Sequence, residues 1–233
     1  MKVAIMQPYF FPYIGYFQLI NAVDKFVIYD NIQYTKKGWI NRNRILVNGS
    51  DNFITLPIKK DSDYLNVNDR FLADSWDVDR NKMLNRIKES YRKAPFFDET
   101  YELIEQCLNC DEKNLFKFVL YSVQSLMKHF KIETELIVSS DIPIDHQLKG
   151  AEKVIAICKQ EGADIYINPI GGLDLYDKHQ FEENGLKLQF QKSNNIVYPQ
   201  LKNEFIPWLS IIDVMMFNSK EQIMSHMSDF KLV

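Results

Sequence analysis

Cysteine is scarce in this chain, with three residues among 233. An odd count argues against a disulfide framework. Cys107 and Cys110 have the CxxC spacing of a zinc site, but no second CxxC pair and no HxxxH pair completes a set of four ligands. We therefore predict that these two cysteines lie on one helix near its end, and we expect no metal site.

Long apolar runs and a strong net charge are also missing. No segment approaches the roughly 18 apolar residues of a membrane span, and the first six residues lead into Pro8 and Pro12 rather than into the apolar region of a signal peptide. We predict a cytoplasmic protein with no membrane span. The formal net charge of -3 argues against a general nucleic-acid binder, which is usually basic.

Several catalytic signatures are absent. The sequence contains no GxSxG elbow, no Walker loop and no GxGxxG fingerprint, which argues against serine hydrolases, P-loop kinases and typical dinucleotide-binding proteins. The four histidines lack metal-ligand spacing, and we expect them to be structural or exposed. The sequence identifies no cofactor.

The patterns that are present are typical of a folded α/β protein, with 46% hydrophobic and 25% charged residues. The length suits a single domain over residues 1–233. Strands are predicted at residues 2–7, 25–30, 135–140, 164–167 and 186–191. Helices are predicted at residues 14–23, 79–90, 98–108, 114–130, 150–161 and 210–217, with another short one at the C-terminus. This alternation predicts a parallel sheet flanked by helices, with a helical insert and a β-hairpin of residues 45–47 and 53–58 joined by a turn at Asn48-Gly49.

Polar residues follow the first predicted strand. In parallel α/β sheets, ligands bind at the carboxyl ends of strands, often against the start of a helix. Gln7 lies at such an end, and Gly15 permits close approach of the backbone to a ligand. Three tyrosines of the same segment, Tyr9, Tyr13 and Tyr16, are predicted to contact that ligand, whereas we expect its phenylalanines to be core residues.

A basic and aromatic segment follows the second predicted strand. Asp30 closes that strand, and residues able to bind phosphate or to stack on a ring come next. The predicted ligand-binding residues of this segment are Gln33, Tyr34, Lys37, Trp39, Asn41, Arg42 and Arg44. A solvated basic loop is the alternative, although solvation alone does not explain the aromatic and amide residues.

Two later segments supply weaker candidates. Asn168, Gly171 and Gly172 follow a predicted strand and could offer backbone N–H groups to an anion, with Tyr176 close behind. A glycine pair serves equally well as a turn. Ser210 is predicted to cap a helix, with Asp213 as a weak partner in a capping box or as a residue of the site.

These segments together resemble the WbqC-like protein family over residues 1 to about 217. The resemblance is carried by MQPYFFPYIGYFQLI, YDNIQYTKKGWINRNRI, SYRKAPFF at residues 90–97, GADIYINPIGG and SIID. Members of that family are associated with bacterial O-antigen and surface-polysaccharide gene clusters. The resemblance therefore implies a role in the synthesis of a surface polysaccharide.

A second likeness concerns the segment PYIGYFQLI, which resembles the HxGH motif of nucleotidylyltransferases and class I aminoacyl-tRNA synthetases. It implies a nucleotidylyltransferase-like, HUP-type fold. Tyr13 and Tyr16 stand where the two histidines would be, and a tyrosine hydroxyl carries no positive charge at neutral pH. No KMSKS-like loop is evident.

Three hypotheses follow. The first is a transferase that moves an acyl or aminoacyl group to a nucleotide-linked amino sugar, with an acyl-donor carrier as a further partner. In it, Arg42, Arg44 and Lys37 bind the diphosphate, and Asp30 or Gln7 orients the amine, with Asp30 as its base. The second is a nucleotidyltransferase, and the third is a non-catalytic protein that binds a sugar or a partner. The sequence leaves the oligomeric state open.

Overall fold

A six-stranded sheet forms the centre of the molecule, in the order β5-β2-β1-β6-β7-β8. The structure, a computed structural model, describes residues 1–202 and 204–233. The strands of the sheet are β1 (Lys2–Met6), β2 (Lys25–Ile28), β5 (Glu135–Val138), β6 (Ile165–Pro169), β7 (Lys187–Ser193) and β8 (Phe230–Leu232). All neighbours pair in parallel except β7 and β8, which are antiparallel. The predicted α/β architecture with a mostly parallel sheet is confirmed.

In the part of the chain that the structure describes, eight α-helices surround this sheet or extend from it. They are α1 (Ile14–Asn21), α2 (Trp76–Tyr91), α3 (Phe97–Leu108), α4 (Leu115–Phe130), α5 (Gly150–Gln160), α6 (Lys178–Glu183), α7 (Ile211–Phe217) and α8 (Lys220–Met227). Helices α2 to α4 form the predicted helical insert between the hairpin and β5. The sequence predicts Asn114 as the N-cap of α4, since Asn is a favoured capping residue, and this is confirmed: the Asn114 side chain accepts a hydrogen bond from the Lys117 N–H at 3.1 Å.

The sheet is buried on both faces, which explains why its central strands are almost continuously apolar. Ala4 of β1 and Phe26 of β2 belong to the larger core, which contains apolar residues of α1, α4 and α7. Val3, Ile5 and Val27 belong to a second core, with residues of α5 and α6. This alternation follows from the two-residue period of a strand.

A two-stranded hairpin lies outside the main sheet. Its strands are β3 (Arg42–Val47) and β4 (Ser50–Thr55). The predicted turn is confirmed, because Asn48 and Gly49 both have positive φ, 51° and 76°, as a two-residue hairpin turn requires. The predicted bounds, residues 45–47 and 53–58, were wrong. Strand β3 begins three residues earlier because alternate residues of a polar stretch, Asn41 and Asn43, are buried beside Ile45.

The order of the parallel strands places a switch point within the sheet. Counted along the chain, the five parallel strands take the order 3-2-1-4-5, and the chain changes direction across the sheet between β1 and β6. In open α/β sheets, ligands bind outside the carboxyl ends of the strands at such a point. Two pockets lie along this edge.

Candidate ligand-binding cleft

The larger pocket, called here the switch-point cleft, has a volume of about 440 Å³. It lies at the carboxyl ends of β1, β6 and β7 and against the first turns of α1. Its lining consists of Met6, Tyr9, Pro12, Tyr13, Gly15, Tyr16, Leu19, Trp39, Asn43, Arg44, Pro169, Ile170, Gln191, Lys192, Ser193, Asn195 and Trp208. Both its size and its mainly apolar wall are typical of small-molecule sites.

The loop between β1 and α1 is held at several points. The Asn43 side-chain N–H₂ donates to the carbonyls of Phe10, at 3.1 Å, and of Phe11, at 2.9 Å. The Ser210 hydroxyl donates to the same Phe11 carbonyl at 2.7 Å. Phe11 has φ of 40°, a left-handed conformation that costs a non-glycine residue about 1–3 kcal/mol. These hydrogen bonds fix the loop that presents Tyr9 and Tyr13 to the cleft.

Aromatic rings form most of the cleft wall. The rings of Tyr9 and Tyr16 lie 5.6 Å apart, and Tyr13 meets Trp208 edge-on with the ring centroids 5.2 Å apart. Trp208 is 50% exposed and has φ of 62°. A large, strained and half-exposed aromatic residue beside a cleft is typical of a binding site. Burial raises the pKa of Tyr13 to about 12, so its hydroxyl remains a neutral donor at neutral pH.

Charge in the cleft comes from Arg44 and Lys192. The Arg44 guanidinium pairs with Asp51 at 2.8 Å, donates to the Trp208 carbonyl at 3.3 Å, and lies 5.7 Å from the centroid of the Trp39 ring. It therefore joins the hairpin to the Trp39 ring and to the backbone of Trp208. The described lining contains no carboxylate, imidazole or thiol. Within the described residues, no three His, Cys, Asp or Glu side chains are close enough to hold a metal ion.

Gly15 is required by the close approach of β7 to α1. A Cβ at this position would lie 2.9 Å from the Ser193 hydroxyl and 3.4 Å from the Tyr13 ring. The absence of a side chain keeps the start of α1 open towards the cleft.

A buried carboxylate lies behind the cleft. Asp213 is 0% exposed, and it accepts hydrogen bonds from the hydroxyls of Tyr91 and Tyr198, each at 2.8 Å, and from the Gln200 side chain at 2.7 Å. Tyr91 in turn accepts from the Leu46 N–H at 2.7 Å. This network joins α7, α2 and β3. Ser210 caps α7 as predicted, but the suggested capping-box role of Asp213 was wrong because its carboxylate is used here.

The pKa of Asp213 predicts how the stability of the protein depends on pH. Burial raises this pKa above its ordinary value, although the three donors oppose the rise. The pKa of Asp213 is therefore higher in the native state than in the unfolded state, where it is about 4. The contribution of this group to stability is fully present below about pH 4, and it is lost as the pH rises through the native pKa. We expect the free energy of unfolding of the wild type to fall relative to that of Asp213→Asn as the pH is raised from 4. Denaturant unfolding at several pH values measures this difference, and a constant difference would contradict the assignment.

Six of the residues predicted from the sequence line the switch-point cleft. They are Tyr9, Tyr13, Gly15, Tyr16, Trp39 and Arg44. They come from two segments that are separated in the chain and are brought together by β3 and α1. Gln33 and Tyr176 instead line the second pocket of this edge.

The two predicted catalytic residues do not line the cleft. The Asp30 carboxylate is buried and accepts hydrogen bonds from the Asn68 side chain at 2.9 Å, the Ser139 hydroxyl at 3.0 Å and the Ser140 N–H at 2.9 Å. The carbonyl of Gln7 accepts from the Tyr16 hydroxyl at 2.9 Å. These contacts support a structural role for Asp30 in joining the ends of β2 and β5.

Four other predicted residues have mainly internal contacts or face solvent. Tyr34 and Asn41 are buried and hydrogen-bond to each other at 2.8 Å. Arg42 donates to the carbonyls of Gly38 and Lys37 and lies over the Phe53 ring, outside the cleft lining. The Lys37 residue itself is exposed. Of Lys37, Arg42 and Arg44, which the sequence assigns to one diphosphate, Arg44 is the one that lines the cleft among the described residues.

The glycine pair after β6 has a packing role at one position. Asn168 is buried, accepts from the Tyr166 hydroxyl at 3.1 Å and packs against Gly172, where an added Cβ would lie 1.9 Å from its side-chain nitrogen. Gly171 is exposed, with nothing within 4 Å of an added Cβ. None of these three residues lines the cleft.

The different surroundings of Gly172 and Gly171 predict different effects of alanine substitution on stability. Gly172→Ala should lower the free energy of unfolding by about 1–3 kcal/mol, because the bonded Asn168 side chain must move. Gly171→Ala should change it by less than about 0.5 kcal/mol. Denaturant unfolding compares the two, and equal effects would mean that the packing of Asn168 on Gly172 does not contribute to stability.

Comparison with known proteins identifies the family of this chain. The model of the WbqC-like protein family matches residues 7–225. This chain belongs to the WbqC-like family. It is also 29% identical over 216 residues to the uncharacterized protein Rv1507c of Mycobacterium tuberculosis, and the match covers 92% of each chain. No solved structure gives a significant match.

The matched region contains nearly every residue of the cleft, since only Met6 precedes it. Among the described residues of this WbqC-like protein, no helix combines the length and apolar character that crossing a membrane requires.

Proposed function

We propose that this WbqC-like protein is a cytoplasmic transferase of surface-polysaccharide synthesis that acts on a nucleotide-linked amino sugar. The observation that carries the proposal is the aromatic wall of the switch-point cleft, with Tyr13, Trp39 and Trp208 beside the Arg44 guanidinium. Aromatic rings stack on bases and sugars, and a guanidinium binds phosphate oxygens in a bidentate manner. The gene-cluster association of the family supports the choice of substrate.

The proposed reaction is transfer of an acyl or aminoacyl group from a thioester donor. The sugar amine attacks the acyl carbonyl, a C–N bond forms, the C–S bond breaks, and the thiol leaves with the proton that the amine gives up. Since the described lining offers no carboxylate or imidazole, the proposal does not assign this proton to a base of the cleft. Rate enhancement would come from holding the amine and the thioester together, which is worth up to about 7–11 kcal/mol in well-oriented systems.

Nucleotidyl transfer is the second candidate. The 3-2-1-4-5 order of the parallel strands and the position of PYIGYFQLI at the end of β1 support a HUP-type fold. Tyr13 lines the cleft at the first histidine position of the HxGH-like segment, whereas the Tyr16 hydroxyl donates to the Gln7 carbonyl. This candidate predicts that a nucleoside triphosphate binds in the presence of Mg²⁺.

A non-catalytic protein that binds a sugar or a partner is the third candidate. It is favoured by the same lack of acid–base groups in the described lining of the cleft. It predicts that a nucleotide-sugar binds and is recovered unchanged.

Calorimetric titration tests the proposal. A UDP- or dTDP-linked amino sugar should bind more tightly than the nucleoside diphosphate or the free amino sugar, because under the proposal both halves contact the cleft. Mass spectrometry after addition of an acyl-thioester should then show an N-acylated sugar nucleotide. Binding without product would favour the third candidate. Binding only of a nucleoside triphosphate with Mg²⁺ would favour the second.

A further inference from the structure

A second pocket, called here the α5 pocket, lies at the same edge of the sheet and has a volume of about 350 Å³. It is formed by the residues after β2, the segment that leads into α5, and the start of α5 itself. Its apolar side includes Val154 of the second core, with Tyr29 and Tyr176 packed against that core. It shares no lining residue with the switch-point cleft.

The charged side chains that line this pocket are all basic. They are Lys149 and Lys153, and no Asp or Glu is among the described residues of the lining. Asp30 acts electrostatically on Lys153 and raises its pKa, but the Asp30 carboxylate oxygens already accept hydrogen bonds from Asn68, Ser139 and Ser140. The pocket therefore has an excess of positive charge if the two lysines are protonated.

Lys153 is the unusual residue of this set, because it is only 8% exposed. Within the described part of the chain, its ammonium donates one hydrogen bond, to the Asn31 side chain at 3.3 Å, and it lies 5.4 Å from the centroid of the Tyr29 ring. Among the described residues, no carboxylate lies within 4.0 Å of it. Burial lowers its pKa, as expected for a cation that lacks a counter-ion.

A buried ammonium group is costly unless it is paired and hydrogen-bonded. With three donor hydrogens and one hydrogen bond, Lys153 has donors left for a ligand. Charged residues that reduce stability in a pocket are typical of binding sites, where a ligand supplies the missing partner.

Helix α5 adds donors of its own. The helix starts at Gly150, and its N-cap residue, Lys149, makes no side-chain capping bond. The N–H groups of a first helical turn lack partners within the helix and favour an anion. Gly150 has φ of 52° and open space around it. Glu152, the acidic residue of that turn, is absent from the pocket lining.

We propose that the α5 pocket binds a phosphate group of a small-molecule ligand, with Lys153 as its buried cation and Lys149 and the start of α5 as further contacts. This inference is independent of the function proposed for the switch-point cleft, because it rests on different residues.

Titration of the full-length protein with pyrophosphate, followed by its melting temperature and by calorimetry, tests the proposal. Pyrophosphate should raise the melting temperature of the wild type. Lys153→Met should weaken pyrophosphate binding at least about tenfold. The same variant should melt at a higher temperature than the wild type when no ligand is present, because an unpaired buried charge is removed.

Lys159→Met is the matched control, since Lys159 lies further along α5, outside the pocket, where it donates to Asn184. This variant should bind pyrophosphate as the wild type does. The proposal would be overturned if pyrophosphate had no effect on the wild type, or if Lys153→Met and the wild type bound it with equal affinity. Equal weakening by both lysine substitutions would also overturn it, because binding would then reflect net charge alone.

Discussion

Replacing Asp213 by alanine should lower the free energy of unfolding by roughly 2–6 kcal/mol. The carboxylate is fully buried and is the acceptor for the hydroxyls of Tyr91 and Tyr198 and for the Gln200 amide. Its removal leaves two buried hydroxyl donors without that acceptor, at about 1–3 kcal/mol for each unsatisfied group. It also leaves a cavity at the junction of α7, α2 and β3.

Equilibrium unfolding in urea measures this loss. Asp174→Ala is a suitable control, because it removes an exposed carboxylate and should change stability by less than about 0.5 kcal/mol. A loss below 1 kcal/mol for Asp213→Ala would show that the network behind the cleft is not an important part of the fold.

The second large effect concerns ligand binding. Trp208→Ala should weaken the binding of a nucleotide-linked amino sugar by about tenfold to a hundredfold, since stacking of a base on an aromatic ring is worth about 1–3 kcal/mol. Trp208 is half exposed and meets Tyr13 edge-on at the cleft. Its carbonyl also accepts from the Arg44 guanidinium, so the backbone at this position should be kept in place.

Two further variants separate loss of the ring from loss of structure. Trp208→Gly removes the same ring but relieves the positive φ, so it should bind as weakly as Trp208→Ala while remaining folded. Tyr64→Ala removes a ring that is 85% exposed and outside the cleft, and it should leave the affinity unchanged. An unchanged dissociation constant in both Trp208 variants would mean that the ligand binds elsewhere.

Local sequence signals account for much of the fold. Apolar runs predicted the strands of the central sheet, Asn48-Gly49 predicted the hairpin turn, and Asn114 and Ser210 predicted helix caps. Each of these signals acts over a few residues. The short edge strand β8 was missed because its three residues form no distinct pattern and depend on pairing with β7.

The candidate site was predictable only in part, because local sequence signals do not show which distant segments meet in the fold. The rule that polar residues after a strand contact a ligand found Tyr9 and Gly15, and the same rule applied to the end of β7 would have found Ser193 and Asn195. It misplaced Asp30, because the partners that use its carboxylate come from segments 38 and more than 100 positions away.

The roles predicted for Asp213 and Arg42 also differ from their contacts in the structure, because those contacts depend on how the chain folds rather than on local sequence. Asp213 has the spacing of a capping box, but its partner Tyr91 is 122 positions distant in the chain. Arg42 has the charge for binding phosphate, but the hairpin register turns it onto the Phe53 ring.

Tryptophan fluorescence tests the central claim, that the switch-point cleft is the ligand site, most directly. The chain has three tryptophans, of which Trp39 and Trp208 line the cleft and Trp76 is fully buried elsewhere. In Trp39→Phe, Trp208 is the single cleft indole and Trp76 gives a constant background. Titration of this variant with a nucleotide-linked amino sugar should change the emission in a saturable manner, after correction for absorbance with free N-acetyltryptophanamide. Calorimetric binding of the same ligand with no change in emission would contradict the claim.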